Sequence, residues 1–369
     1  MRYPDAVPVL TDGVVTLRAH IVGDVDDIVT MCQDPETARW TAVPSPYTHG
    51  DALAFVGSIM RIGWEQQDFR GWAIEAIDDT GTARFAGNVD VRGTPIADIG
   101  FVLHPWARGR GLMKRAIDLA VDWAFAEGGV EIVHWAAHVG NEASLRVAHA
   151  CGFTLGGTTA GRLNERGRVL DAWTAWRRFG DSPLPRTRWA GDAVIEGRRV
   201  RLRPFRESDE ARLVEACRDP LSQHWLAGLP QPYTTASARA HVAASVWAAA
   251  AGTTATWCVA DRETDALLGN IAVMDLGGVD PGQGEIGYWM HPDARGRGLM
   301  TEAARLVVDH ALDPAGLDLR RIALYAAEGN VASHAIAGAL RMRHTGVQTA
   351  AEPLGDGSFA DLHGYELVR

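Results

Sequence analysis

A chain of 369 residues with 47% hydrophobic and 22% charged content can bury more than one large core, which excludes a disordered polymer and suits two or three domains. The formal charge of −10 argues against a nucleic-acid binder, whose affinity rests on neutralising phosphates, and fits a cationic substrate better. No run approaches the ~18 apolar residues a membrane span needs, and the opening MRYPDAVPVLTDG lacks a basic segment followed by an apolar core. The four cysteines, Cys32, Cys151, Cys217 and Cys258, are scattered without C-x-x-C spacing. The expectation is a cytoplasmic protein with no signal peptide, no membrane span, no metal site and free, buried thiols.

Taken in order, the chain repeats itself once. VVTLRAHIVGDVDDI (14–28) matches RVRLRPFRESDEARL (199–213), and Pro46-Tyr47-Thr48 matches Pro232-Tyr233-Thr234. Trp40 recurs as Trp225, Trp72 as Trp257, Gly87-Asn88 as Gly269-Asn270, Asn141 as Asn330, and Asp171 as Asp361. The offset stays between 182 and 190, which is a duplicated domain and not a solenoid. The recurring tryptophans read as core residues. FGDSPLPRTRWAGD, rich in proline, glycine and charge, reads as a linker, giving domains at 1–178 and 193–369 joined by 179–192.

Each half opens with a strand (14–18; 199–203) and a helix after an acidic turn (24–32; 209–217). Thr48 and Thr234 have the chemistry of helix N-caps. Two strands with hairpin turns follow (71–77 and 84–91; 256–261 and 267–274). Next come a strand (98–103; 285–290), a helix (112–127; 299–312), a strand (131–137; 320–326), a helix (142–150; 331–340) and two closing strands. The fold class is α/β, a mixed sheet of about seven strands in each half.

The strand-to-helix junction carries the chemistry. DIGFVLHPWARGRGLM (98–113) and EIGYWMHPDARGRGLM (285–300) start 187 positions apart. A strand leading through a glycine turn into a helix N-terminus offers free N–H groups and the positive end of the helix dipole to an anion. The turn matches neither the P-loop pattern nor the Rossmann fingerprint.

With HPDARGRGLMTEA (291–303) and NEASLRVAHACGF (141–153), each half resembles the GNAT N-acetyltransferase superfamily, in its ribosomal-protein-alanine acetyltransferase branch. The resemblance covers residues 12–178 and 197–369. It implies two tandem acyl-CoA N-acyltransferase domains and acetyl-CoA as cofactor, lying between two parallel strands that splay apart. Gly100 and Gly287 fit a bulge or a close backbone approach in the first of these strands. The resemblance implies that the backbone of Val102, Leu103 and His104, and of Trp289, Met290 and His291, bonds the acetyl carbonyl and pantetheine. It gives the pyrophosphate to the amides of Arg108, Gly109, Arg110, Gly111, Leu112 and Met113, and of Arg295, Gly296, Arg297, Gly298, Leu299 and Met300. Asn141 and Asn330 belong to its second motif.

Acetyl transfer to an amine needs a proton acceptor, carbonyl stabilisation and protonation of the leaving thiolate. Asp98 and Glu285, at the strand heads, are the candidate general bases. Ser144 and Ser333, three residues after the asparagines, are expected to face the sulfur. His104 and His291 precede proline and read as strand-ending turn residues. His134 and His138 have no counterparts in the second half and could line an acceptor site in the first. The first half departs from the branch with Lys114-Arg115-Ala116, where the second has Thr301-Glu302-Ala303. The second half has Leu340-Arg341-Met342 where the first has Cys151-Gly152-Phe153, and losing that glycine should cost a left-handed helix end. The loop at 277–284 is five residues longer than its counterpart, a place where acceptor specificity could differ.

The function these observations imply is N-acetylation of a primary amine (a protein N-terminus, an amino sugar or a small amine) by direct attack in a ternary complex. The alternatives are one catalytic half beside a degenerate one, or an acyl-CoA-binding regulatory scaffold.

Overall fold

A computed structural model describes residues 3–369. The chain forms two compact units, one ending at Arg186 and the other beginning at Thr187. The strands of the first unit are β1 (Leu10–Thr11), β2 (Val15–Arg18), β3 (Phe69–Ile77), β4 (Ala83–Arg92), β5 (Ile96–Leu103), β6 (Ile132–His138), β7 (Thr154–Glu165) and β8 (Arg168–Arg178). Its helices are α1 (Val25–Gln33), α2 (Pro35–Trp40), α3 (His49–Ala54), α4 (Met60–Gln66), α5 (Leu112–Ala126) and α6 (Glu142–Ala150). The second unit has α7 (Glu210–Arg218), α8 (Pro220–Trp225), α9 (Thr235–Ala251), α10 (Leu299–Leu312) and α11 (Val331–Ala339). Its strands are β9 (Ile195–Glu196), β10 (Val200–Arg203), β11 (Ala255–Asp261), β12 (Leu267–Met274), β13 (Gln283–Met290), β14 (Arg321–Ala327), β15 (Arg343–Pro353) and β16 (Phe359–Val368).

Each sheet has eight strands, in the orders β1-β2-β3-β4-β5-β6-β8-β7 and β9-β10-β11-β12-β13-β14-β16-β15. The strand beyond the expected seven is the two-residue edge strand, β1 or β9, too short to leave a sequence pattern. Among the described residues only β5 with β6 and β13 with β14 pair in parallel, each over three residue pairs. α5 and α10 lay an i, i+3, i+4 stripe on the sheet: Leu112, Ala116, Ile117, Ala120, Val121 and Ala124 are buried, as are Leu299, Ala303, Ala304, Val307, Val308 and Ala311. The alanines let the helix axis approach the sheet, and each large aliphatic adds about 2 kcal/mol of burial. Trp72 and Trp257 are fully buried, their indole N–H groups bonded to the carbonyls of Pro8 and Ala193 at 3.0 and 2.9 Å. Trp40 and Trp225 are not core residues; they lie half-buried beside Gly140 and Gly329, just before the repeated asparagines.

Three differences between the units have local causes. From Thr48 to the left-handed Gln67 there is one residue more than from Thr234 to the left-handed Gly252. The first unit absorbs it as a π-turn over Phe55–Ile59, while α9 runs unbroken. Secondly, the left-handed helix end expected to be lost in the second unit is kept. Arg341 takes φ +57 where Gly152 takes +75, and Met342 N–H bonds the Ala337 carbonyl as Phe153 N–H bonds that of Ala148. The glycine is needed in the first unit for a second reason: a β-carbon there would stand 2.3 Å from the Ser182 carbonyl oxygen, where the chain crosses the helix end. Arg341→Gly should therefore raise second-unit stability by about 1 kcal/mol, and Gly152→Ala should lower first-unit stability by more than ~2 kcal/mol, both read from denaturant midpoints.

Thirdly, a buried histidine and phenylalanine have changed places. His20 meets Phe55 edge-on at 5.2 Å, whereas Phe205 meets His241 at 5.7 Å. His20 is 2% exposed, and burial pushes its imidazole down to about 4. The native state thus binds fewer protons than the unfolded chain between about pH 6.5 and 4, and stability falls as pH falls through that window. His20 should cost about 2 kcal/mol between pH 7 and 5, and His20→Phe should remove that slope in denaturant titrations; an unchanged slope would contradict it.

Candidate active site

The site in each unit is the gap opened where the parallel strands part. Pairing of β5 with β6 stops at Asp98–His134, and that of β13 with β14 at Glu285–Ala323. Beyond these carboxylates the inner edges of β5 and β13 have no strand partner among the described residues. Their opposite edges stay paired to β4 and β12 without a register shift, so Gly100 and Gly287 mark neither a bulge nor a close backbone approach but crowding by side chains. A β-carbon at Gly100 would meet the Asp90 carboxylate at 2.8 Å, and one at Gly287 the Met274 methyl at 2.8 Å. The amides of His104 and His291 bond the Ala86 and Leu268 carbonyls within the sheet, both at 2.8 Å. Strand alternation then turns the N–H groups of Phe101 and Leu103, and of Tyr288 and Met290, toward the gap.

At the mouth of the gap lies the glycine loop. His104 and His291 cap short turns with Nδ1, as strand-ending residues. Gly109 and Gly111 take φ +74 and +72, Gly296 and Gly298 +72 and +69. Among the described residues, chain neighbours apart, no atom lies within 4 Å of where a β-carbon would stand at Gly109, Gly111 or Gly296. Among the described residues the amides of Gly109–Met113 and Gly296–Met300 have no hydrogen-bond acceptor, and Gly111 and Gly298 supply no side-chain cap to α5 and α10. The loop is thus an open nest of donors at a helix N-terminus, suited to a phosphate or pyrophosphate.

The guanidinium groups of the loop act mainly as struts. Arg108 bonds Asp34 at 2.6 Å and Thr37 at 2.9 Å; Arg295 reaches the equivalent Asp219 at 2.6 Å and Ser222 at 2.9 Å. Arg110 bonds the Ile77 carbonyl at 3.0 Å and lies over the Trp106 ring. The repeated Asp-Pro of residues 34–35 and 219–220 is the sequence feature that marks the first pair of struts, which spacing around the glycine turn did not reveal. The differing helix starts are a charge-swapped anchor: Arg115 pairs with Asp12 at 2.6 Å, Glu302 with Arg199 at 2.9 Å.

Asn141 and Asn330 are N-caps of α6 and α11, each Oδ1 accepting the N–H of the serine three residues on at 3.2 Å. The serine hydroxyls differ in setting. Ser144 accepts the Trp135 indole N–H at 3.0 Å. Ser333 lies beside Tyr288, whose phenol is pushed up to about 12 by burial while the neighbouring Ser333 hydroxyl opposes the shift. The first unit has Phe101 at that position.

The strand-head carboxylates differ most. Asp98 is bonded by Arg162 of β7 at 2.7 Å, and its cross-strand neighbour is Arg92. Glu285 faces Met274 across the strands and has no cationic partner among the described residues. Its carboxyl is held above the usual range by burial, with Asp275 and Glu352 adding like charge. The Glu352 carboxyl, on β15, is itself raised by burial. Arg162, Arg92, Asp275, Glu352 and Tyr288 are site residues that sequence spacing did not reveal. His138 is engaged by Glu165 at 2.8 Å and meets Trp40 edge-on, while His134 stands opposite Asp98 in the parallel register.

Among the described residues no helix is long and apolar enough to cross a membrane, and no group of histidine, cysteine and carboxylate side chains could hold a metal. The four cysteines are free and buried. A family model for the acetyltransferase (GNAT) domain matches residues 15–154 and again 199–343. The chain is 37% identical over 70 residues to YdaF of Bacillus subtilis (strain 168), a protein named for ribosomal N-acetyltransferase activity. That match covers 19% of this chain and 37% of the relative, so it spans little more than a third of the relative's length. Among solved structures the chain is similar to RimL, a ribosomal L7/L12 alpha-N-protein acetyltransferase in complex with coenzyme A, at 21% identity over 48% of this chain and 98% of that one, TM-score 0.42. It is also similar to Mycobacterium smegmatis RimJ in complex with CoA-disulfide, at 20% identity over 48% and 87% of the two chains, TM-score 0.43. With one matched domain in each unit and more than half of its length covered, the chain belongs to the GNAT acetyltransferase family.

Proposed function

We propose that the chain is an acetyl-CoA-dependent N-acetyltransferase whose second unit performs the transfer, while the first holds a second coenzyme A beside a carboxylate that is not available as a base. The observation that carries this reading is the inverted charge around the strand heads: arginines surround Asp98, whereas acids surround an unpaired Glu285. The Asp98 carboxylate is occupied by the Arg162 guanidinium and so is not free to meet an amine, whereas Glu285, raised by burial and like charge, suits a proton acceptor near neutrality.

Bound in the gap, acetyl-CoA would supply an acyl thioester activated toward nucleophiles. The amides of Gly296–Met300 would hold its pyrophosphate, with Gly298 opening the cradle at the start of α10; the Arg295 N–H is already given to the Pro292 carbonyl. Backbone N–H groups of Tyr288 and Met290 would bind along the pantetheine and the acetyl oxygen. Glu285 would take the proton from the attacking amine in a ternary complex, directly or through water. Ser333, beside the Tyr288 phenol, would donate toward the departing sulfur. Three neighbouring carboxylates, Glu285, Asp275 and Glu352, favour an acceptor that arrives as an ammonium ion, whether a protein N-terminus, an amino sugar or a small amine.

The pH profile of thiol release tests the base. The acid limb of kcat/KM should lie above the ordinary carboxylate range, because Glu285 is raised, and activity should grow as pH rises through it. Activity unchanged down to the usual carboxylate range would remove Glu285 from this role.

A further inference from the structure

The first unit has a cavity of about 620 Å³ at the C-terminal end of α5, lined in part by Trp64, Arg70, Trp123 and Glu127. α5 is 15 residues long, so this cavity lies roughly 22 Å from the glycine loop at the other end of the helix. Arg70 is only 6% exposed. One of its guanidinium nitrogens donates to the Gly128 carbonyl at 3.0 Å, and the group lies 5.7 Å from the Trp123 ring centre. Among the described residues its remaining N–H groups have no acceptor and no carboxylate reaches salt-bridge distance; Asp68 acts on it only from farther off. Desolvation accordingly pulls its pKa down. Its unpaired nitrogens are not sealed from solvent, so the guanidinium can be reached from the cavity.

Glu127 also lines the cavity and has no cationic partner within 4 Å among the described residues, although Arg70 bonds the carbonyl of the very next residue. A cation and an anion that border one cavity without meeting leave room for a ligand carrying both charges. The rings of Trp64 and Trp123 line the same cavity. The second unit has Ala249, Ala255 and His310 at the positions of Trp64, Arg70 and Trp123, so the duplicated chemistry does not require this cavity.

From this we infer that the first unit carries a second small-molecule site, separate from the acetyl-transfer gap, for an α-amino acid with an apolar or aromatic side chain. Its carboxylate would pair with Arg70, its ammonium group with Glu127, and its side chain would lie against Trp64 and Trp123. The inference does not depend on which unit transfers acetyl groups.

The test is calorimetric titration of the full chain with L-phenylalanine, in parallel with 3-phenylpropionate, which lacks the ammonium group. Saturable binding of phenylalanine is expected, at least tenfold weaker in Arg70→Met and severalfold weaker in Glu127→Gln, with coenzyme A binding unchanged in both. 3-Phenylpropionate should bind wild type more weakly than phenylalanine does, and Glu127→Gln should narrow that difference. Should Arg70→Met fail to fold, Arg70→Lys, which keeps the charge but not the fork, should weaken binding by a smaller factor. Absence of saturable phenylalanine binding to wild type, or equal affinity in wild type and the Arg70 variant, would overturn the site and leave Arg70 as a structural bond to the end of α5.

Discussion

Glu285→Gln should lower kcat for acetyl transfer by about 10²–10⁴-fold, the usual contribution of a positioned general base, with little change in coenzyme A affinity. The loss should shrink as pH rises, because more of the amine is then already deprotonated, and the acid limb of the profile should disappear. Asp98→Asn should leave turnover within about twofold, since it removes a half-exposed carboxylate already held by Arg162 and not a free base. The pair is informative because both residues head equivalent strands, pair with the parallel neighbour at equivalent positions and differ by one methylene. Equal losses in the two variants would show that charge environment does not decide which carboxylate works. A loss of less than about threefold in Glu285→Gln would show that the amine is deprotonated by another group or before it binds.

The second large effect concerns the two loops. Gly111 and Gly298 stand at φ +72 and +69, where a β-branched residue costs about 1–2 kcal/mol and places its side chain in the cradle of free amides. Wild-type protein should bind two equivalents of coenzyme A. Gly111→Val and Gly298→Val should each lose one, the affected affinity falling at least about tenfold as the phosphate contacts are displaced. Turnover should separate them: Gly298→Val should be reduced by about 100-fold or more, Gly111→Val by less than about twofold. Equal partial losses of turnover would mean that both units transfer acetyl groups.

The glycine loops, capped helices and parallel strand pairs are legible in the sequence because each is a local pattern that the duplication prints twice. The working environment of the strand heads is not. Arg162 reaches Asp98 from 64 residues away, and Glu352 approaches Glu285 from β15. Both come from the C-terminal hairpin, where the two copies have diverged. The helix end at Arg341 shows the converse error: a rule about glycine is a preference of about 1 kcal/mol, and the bonds that close the helix outweigh it. Likewise Gly100 and Gly287 read as a bulge or a close backbone approach, but the atoms that crowd them are side-chain atoms, the Asp90 carboxylate and the Met274 methyl.

The loop arginines carry a related lesson. Clustered positive charge beside a glycine turn suggests that the side chains bind the anion, yet Arg108 and Arg295 are committed to Asp34 and Asp219. What is left for a ligand is mainly backbone, with the exposed Arg297 as the one loop guanidinium that makes no hydrogen bond or ion pair among the described residues.

The most direct measurement is transfer itself. Wild-type protein incubated with acetyl-CoA and a panel of cationic primary amines, including peptides with free N-termini, should release free thiol and N-acetylated amine in equal amounts. Both products should vanish together in Glu285→Gln at neutral pH. Coenzyme A binding to both loops, with no thiol released above the buffer rate for any amine in the panel, would contradict the account and leave the chain an acyl-CoA-binding scaffold.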